Sequence, residues 1–213
     1  AHEIKNPLTP IQLSIDRLKE KYSGHIKEGK IDFEKYLETI NRQIEDIENL
    51  VNEFSSFARM PRPVTRKIDI KLVVNRAVDF IKMSSKNSIQ FKNKNENYFA
   101  LIDEEQMYRV FINLIKNSEE SFLEKKANNP HFKGIIDIEI DKNNDYIFIR
   151  FVDNGTGIAD TKKVMTPYFT TKKTGTGLGL AIVSKIINEH SGDFNISNNN
   201  SAGINITISL PSL

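Results

Sequence analysis

Two asparagines four residues apart, Asn113 and Asn117 in NLIKNSEES, are the first chemically suggestive spacing in this 213-residue chain. On a helix they share one face. An amide oxygen there can ligate Mg²⁺, which takes few protein ligands beside phosphates and water. A second stretch, DNGTGI, begins at Asp153 after a run that alternates like a strand. An ionised carboxylate only accepts hydrogen bonds, so at the floor of a pocket Asp153 would choose an exocyclic amine such as adenine N6. Gly155 and Gly157 let the backbone turn tightly and approach a ligand. A third stretch, TPYFTTKK, is a polar loop in which Tyr168 and Phe169 are placed to pin the chain and Thr170, Thr171 and Lys172 to meet a terminal phosphate. A fourth, GTGLGLAIV, is a glycine-rich turn opening a helix. Free N–H groups at a helix start suit phosphate, and Gly175, Gly177 and Gly179 remove side-chain obstruction. Each stretch alone has an ordinary explanation: solvated asparagines, a plain turn, a surface loop with a core-facing phenylalanine, a chance glycine trio. The glycine turn does not follow a strand directly, as a dinucleotide-binding turn would, and it lacks the Gly-Lys-Ser/Thr ending of a P-loop.

The elements that must position these residues change period along the chain. Apolar residues at Ile4, Leu8, Ile11, Ile15, Leu18 and Tyr22 alternate steps of four and three, a heptad seam. A second seam runs Phe33, Leu37, Ile40, Ile44, Ile47, Val51 and Phe54, with Asp32 as the expected N-cap. Tyr36, Leu50, Phe57 and Ala58 widen it. Two antiparallel helices cannot bury such faces alone, so the expectation is a homodimer forming a four-helix bundle; packing of the hairpin on the second half is the alternative. RMPRPVTRK, with two prolines and four basic residues, reads as a linker at 61–67. Beyond it, helices are expected over Val73–Met83, Glu104–Lys126 and Gly177–His190. Strands are expected in SIQFKNKN, YFALID, GIIDIEID and DYIFIRFVD, and in a closing hairpin, DFNISNNNSAGINITISL. That order predicts an α+β sandwich, helices on one face of a mixed, mainly antiparallel sheet. Pro7 and Pro10 fall inside the first helix, where each removes a backbone donor. A bend just beyond His2 is expected, unless His2 lies close enough to the helix start for proline to be tolerated.

Composition narrows the function classes. With 38% hydrophobic and 27% charged residues the composition allows a packed core, and disorder is not expected. A formal charge of +2 is too small to indicate a nucleic-acid partner. There is no cysteine, hence no disulfide framework and no thiolate metal site. No apolar run approaches a membrane span. The chain starts at Ala1 rather than methionine, so it is expected to be a piece of a longer protein.

The four motifs in this order resemble the N, G1, F and G2 boxes of the GHKL ATP-binding fold, shared by sensor histidine kinases, gyrase B, Hsp90 and MutL. HEIKNPL resembles the H box that marks sensor histidine kinases of two-component systems. HEIKNPLTPIQLS…RLKEKY and EFSSFARMPRPV look like NtrY-type nitrogen-regulation kinases of bacteria. The resemblance implies that His2 is the phospho-acceptor, its neutral imidazole able to attack phosphorus. It implies that Glu3 holds the other ring nitrogen, and that Asn6, four residues on, positions water for dephosphorylation. ATP and Mg²⁺ are the implied cofactors. Asn117 with Asn113 would hold the metal, and Asp153, Gly155 and Gly157 the adenine. Tyr168, Phe169, Thr170, Thr171 and Lys172 would line the phosphate side, with Lys172 on the γ-phosphate. Gly175, Thr176, Gly177, Leu178 and Gly179 would wrap the phosphates, and Ala159–Thr176 would form a lid. Ser118 stands where the family usually has alanine, a change expected to have little effect.

The implied organisation is a dimerisation and histidine-phosphotransfer hairpin at 1–60, the linker, and an ATP-binding domain at 68–213 that swings on it. The implied activity is autophosphorylation of His2 and transfer to an aspartate of a response regulator, NtrX-like if the subfamily resemblance holds. Phosphatase activity toward that regulator is a second expectation. The parent protein would be anchored in the bacterial inner membrane with this part in the cytoplasm, touching the membrane only through regions outside the chain. The competing readings are a GHKL clamp ATPase, a class that lacks the His-Glu-x-x-Asn-Pro hairpin, and a non-enzymatic dimer scaffold or phosphatase-dominant protein.

Overall fold

The computed structural model describes residues 2–26, 28–94, 96–161, 163–170, 175–199 and 202–213, and of residues 2–6 only the backbone. It divides into two units. One is a helical hairpin, α1 (His2–Tyr22) and α2 (Lys30–Ala58). α1 runs through both Pro7 and Pro10, and the Ser14 hydroxyl donates to the Pro10 carbonyl at 2.8 Å. α2 starts two residues before the expected cap. Gly29 stands at its N-cap with φ 76°, and Asp32 lies in the first turn instead, where a carboxylate still suits the helix dipole. Leu8 and Ile15 of α1 meet Leu37 and Ile44 of α2, with Phe33 packed against them. The seams are buried only at every seventh position. Ile11, Leu18, Ile40, Ile47 and Phe54, the alternate members, are each more than two-fifths exposed.

The other unit begins at Pro61 and is the expected α+β sandwich. Its five-stranded sheet has the order β2-β4-β5-β7-β6, built from β2 (Ser88–Lys92), β4 (Ile135–Lys142), β5 (Tyr146–Asp153), β6 (Asp193–Asn198) and β7 (Ile204–Pro211). Only β2 and β4 pair in parallel. Alternate residues of the central strands are buried: Ile136, Ile138 and Ile140, then Ile147, Ile149 and Phe151, then Ile206, Ile208 and Leu210. Period-two alternation of this kind puts one face against helices and one in solvent. The helices are α3 (Ile70–Lys82), α4 (Glu104–Asn128) and α5 (Gly179–Glu189), with α4 packed between the other two.

At the outer edge, Lys94 donates to both oxygens of Asp141 at 2.8 and 2.9 Å. That bond, with the Lys142 backbone N–H, holds the Asp141 carboxyl below its ordinary value. The associated stabilisation is present above the usual carboxylate range and is lost as pH falls through the depressed value. Both groups lie in solvent, so salt weakens it further.

A short strand, β1 (Arg66–Asp69), pairs antiparallel with β3 (Phe99–Ile102) in a sheet of its own. β1 takes Arg66 and Lys67 from the stretch expected to be linker, and the residues before it are also tied down. The Val64 N–H donates to Asp103 Oδ2 at 2.9 Å, and Gln106 Nε2 donates to the Pro61 carbonyl at 3.0 Å. The prolines and basic residues concealed this, because a proline-rich segment can be extended and docked as readily as free. Asp103 does double duty: its Oδ1 caps α4 through the Gln106 N–H at 3.1 Å. Its own N–H donates to Nε2 of buried His190 at 2.9 Å, while the Ile186 carbonyl faces Nδ1 at 2.7 Å. Asp103→Ala is therefore expected to cost about 1–2 kcal/mol, the range for a lost N-cap plus an orphaned N–H. Thermal or urea unfolding checks this.

Candidate functional site

One stripe of α4 carries most of the site. Asn113, Asn117 and Ser121 lie on it at intervals of four, with Ser118 and Lys125 alongside. The amide nitrogen of Asn113 is buried and has no hydrogen-bond partner among the described residues, an unusual state for a buried donor. α5 begins against the same amides. A Cβ built on Gly179 would lie 3.6 Å from Asn117 Nδ2, 3.8 Å from its Oδ1 and 3.9 Å from Asn113 Oδ1. No side chain caps the start of α5, and a helix start of that kind suits an anion. Gly177, just ahead, has φ +70° and is crossed closely by the backbone of Tyr168 and Phe169. Its carbonyl accepts from the Tyr168 N–H at 3.1 Å. Hence the helix starts two residues later than periodicity indicated. The Tyr168 N–H thus ties the aromatic pair to Gly177, and the Tyr168 ring is 54% exposed.

Asp153 ends β5 and is almost wholly buried. Three donors converge on it: Ser118 Oγ to Oδ2 at 2.5 Å, and the N–H groups of Gly155 and Ile204 to Oδ1 at 3.0 and 3.1 Å. The loop that follows is fixed from four sides. Lys125 Nζ donates to the carbonyls of Asn154 and Gly155 at 2.6 and 3.0 Å. Asn154 accepts from the Ile135 N–H at 2.8 Å and donates to the Lys133 carbonyl at 3.0 Å. Gly155 lies against Ser121 with no room for a Cβ. Asn198 both donates to the Ile158 carbonyl and accepts from its N–H, each at 2.8 Å.

Gly157 (φ +78°) and Gly203 (φ +82°) face these contacts, and a Cβ on Gly203 would strike Asp153 itself. Ser118, Ser121, Lys125, Asn198 and Gly203 were not picked out by sequence reasoning as part of the site. Ser118, where the family usually has alanine, bonds the central carboxylate through its hydroxyl.

Asn113, Asn117, Asp153, Gly155, Gly157, Gly177 and Gly179 fall in one unit; Asn113 and Asn117 lie beside Gly179, and Asp153 is joined to the same helix α4 through Ser118. Gly175 and Thr176 group with the helical unit. Thr171 and Lys172, and the side chains of His2, Glu3 and Asn6, lie outside the described residues.

The donor set fits a nucleotide with Mg²⁺. Two amide oxygens at a helix start are hard ligands of the kind Mg²⁺ accepts in small number. Among the described residues no group of three or more His, Cys, Asp or Glu forms a dedicated cage. The unpartnered Asn113 nitrogen is left for a ligand.

Residues 102–213 match the family described as Histidine kinase-, DNA gyrase B-, and HSP90-like ATPase. The chain belongs to this family. Residues 1–63 match His Kinase A, the phospho-acceptor domain. Among curated relatives, a putative sensor histidine kinase NtrY-like of Rickettsia conorii is 39% identical over 98% of the chain and 34% of its own length. The nitrogen regulation protein NtrY of Azorhizobium caulinodans is 37% identical over 92% of the chain and 26% of its own length. The similarity to NtrY-type kinases therefore extends far beyond the two stretches that first carried it, although the chain spans about a third of such relatives. A solved structure of the histidine kinase ThkA in complex with the response regulator protein TrrA shares the fold, with a TM-score of 0.70 at 23% identity over all of the chain and 60% of that one.

One helix presents amide oxygens beside an uncapped helix start, and an acceptor-only group closes the other end.

Proposed function

We propose that this chain is the catalytic core of an ATP-dependent protein-histidine autokinase. The observation that carries the reading is that α4 presents Asn113 and Asn117 to the uncapped start of α5 while its Ser118 holds the buried Asp153. On this reading Asp153 selects adenine, the α5 N-terminus and Gly177–Gly179 hold phosphates, and Asn117 with Asn113 holds Mg²⁺. When bound, the metal neutralises phosphate charge. The γ-phosphoryl group passes in line to a nitrogen of His2, leaving ADP. The protein's part is positioning and charge compensation, with Lys172 on the γ-phosphate and Thr170, Thr171, Gly175 and Thr176 along the lid.

The domains are a hairpin at 1–60 and a nucleotide-binding domain that takes in the expected linker. Because Pro61 and Val64 are bonded to α4, the pivot lies at Arg59–Met60, directly after α2. The hairpin dimerises through the half-exposed alternate members of its two seams, a four-helix arrangement that buries them. The phosphoryl group then moves to an aspartate of a response regulator of NtrX type. Asn6, one turn from His2, supports a phosphatase reaction toward the same partner, with Glu3 beside the imidazole. No helix of the described residues is long and apolar enough to cross a membrane. Anchoring of the parent protein in the bacterial inner membrane, with this part in the cytoplasm, would come from segments outside the chain.

Incubation with γ-labelled ATP and Mg²⁺ tests this directly. Acid-labile, alkali-stable label is expected on the wild type and is expected to vanish in His2→Gln and in Asn117→Ala. ATP binding should persist in His2→Gln. Label surviving in His2→Gln would move the acceptor elsewhere, and absence of ATP binding to the wild type would sink the reading.

A further inference from the structure

We infer that Ser118 is a positioning residue that sets base selectivity at the nucleotide site, an inference that rests on the assignment of Asp153 to the base. Ser118 is 1% exposed and Asp153 3%, so the bond between Oγ and Oδ2 at 2.5 Å is shielded from solvent. The other carboxylate oxygen is already taken by the Gly155 and Ile204 N–H groups. Only Oδ2 has accepting capacity left for a ligand. A hydroxyl has one proton, and that of Ser118 is committed to Oδ2. Toward a base, both Oδ2 and Ser118 Oγ therefore offer lone pairs and nothing else. A purine with an amine at its 6-position satisfies them. A purine with a carbonyl there sets acceptor against acceptor, and a site built of buried polar groups rejects such a mismatch strongly.

Removing the hydroxyl changes the terms. Oδ2 is then left to water, and a water molecule has two protons, one for the carboxylate and one for a base carbonyl. The pocket becomes tolerant. The backbone of Ser118 is separately held, its carbonyl accepting from Ser121 Oγ at 3.0 Å, so the substitution deletes a hydroxyl without freeing the helix.

The test is calorimetric titration of the full chain with ADP and with inosine diphosphate, which differ at the 6-position of the base in offering an amine or a carbonyl and at N1 in offering a lone pair or an N–H. Ser118→Ala is compared with wild type, and Ser118→Cys, which keeps the volume but donates weakly, with both. Wild type is expected to favour ADP strongly. In Ser118→Ala ADP should weaken about five- to tenfold while inosine diphosphate is unchanged or gains, so that the preference falls at least about fivefold. Cysteine should behave as alanine does. Equal losses for the two nucleotides, or an unmoved ratio, would overturn the role of Ser118. If in that case Asp153→Asn still abolished ADP binding, the site assignment would stand without it. A wild type that binds neither nucleotide would remove both.

Discussion

Asp153→Asn is expected to fold and to lose adenine nucleotides by about 30- to 1000-fold. The amide oxygen can take the place of Oδ1 and keep the N–H bonds of Gly155 and Ile204. Its nitrogen then replaces Oδ2 opposite Ser118, whose hydroxyl can rotate and accept instead of donate. The three bonds to the carboxylate are each replaced, while the Ser118 proton and one amide N–H must find new acceptors, so stability should fall by about 1–3 kcal/mol. Binding suffers more, because an amide N–H₂ now meets the base amine donor to donor. Loss of a charge-assisted bond plus that mismatch is worth about 2–4 kcal/mol. Titration with ADP, alongside a melting curve of the free protein, separates the two effects. ADP affinity within threefold of wild type would mean that the base is read elsewhere.

The second large effect is expected at Gly203. Its φ of +82° is one an L side chain adopts only with strain, and a Cβ there would lie 2.5 Å from Asp153 Oδ1 and closer still to the Asp153 carbonyl. Backbone strain of about 1–2 kcal/mol and an unrelieved clash of about 1–3 kcal/mol act together. Gly203→Ala should therefore cost about 3 kcal/mol or more and displace the carboxylate it abuts. Gly157→Ala is the control. Its φ of +78° is similar, but the nearest atom, Asn198 Oδ1, lies at 3.0 Å, well beyond the approach of the Asp153 carbonyl at Gly203, so a small shift of Asn198 against its bonds to Ile158 relieves the contact and about 1–2 kcal/mol is expected. Denaturant unfolding of the two variants gives the difference directly. Equal losses would show that the β6–β7 turn relaxes away from Asp153.

Much of this architecture was legible in the sequence because period reports burial. β4, β5 and β7 were found from the alternation that puts Ile136, Ile149 and Ile206 inside, and the seam of α2 from Leu37, Ile44 and Val51. What escaped was decided by partners distant along the chain. β1 is four residues long, RKID, too short for any period, and exists because β3 pairs with it. Asp69 extends α3 upstream to Ile70 by accepting from the Lys71 N–H, a local cap hidden by the strand before it. Within the site, Asn113, Asn117 and the glycines carry local signatures. Asn198 and Lys125 do not, because their bonds go to backbone atoms 40 and 29 residues away. Ser118 was visible as a substitution in a motif, but a comparison of side-chain sizes said nothing of the proton it donates.

The carboxylate of Asp153 is assembled from three parts of the chain: Ser118 35 residues before it, Gly155 beside it, and Ile204 51 residues after it. Ile204 is the first residue of the last strand. A ribosome-bound chain that has not yet released β7 therefore cannot complete this binding site, however well α4 has formed. Contacts of such long sequence separation form late, after the entropy of closing the intervening loops has been overcome. Occupancy by a nucleotide is then confined to molecules in which the closing hairpin has already added itself to the sheet. Ligand-induced stabilisation follows the affinity of the native form alone, so cellular nucleotide would protect finished protein while leaving unfinished chains exposed to quality control.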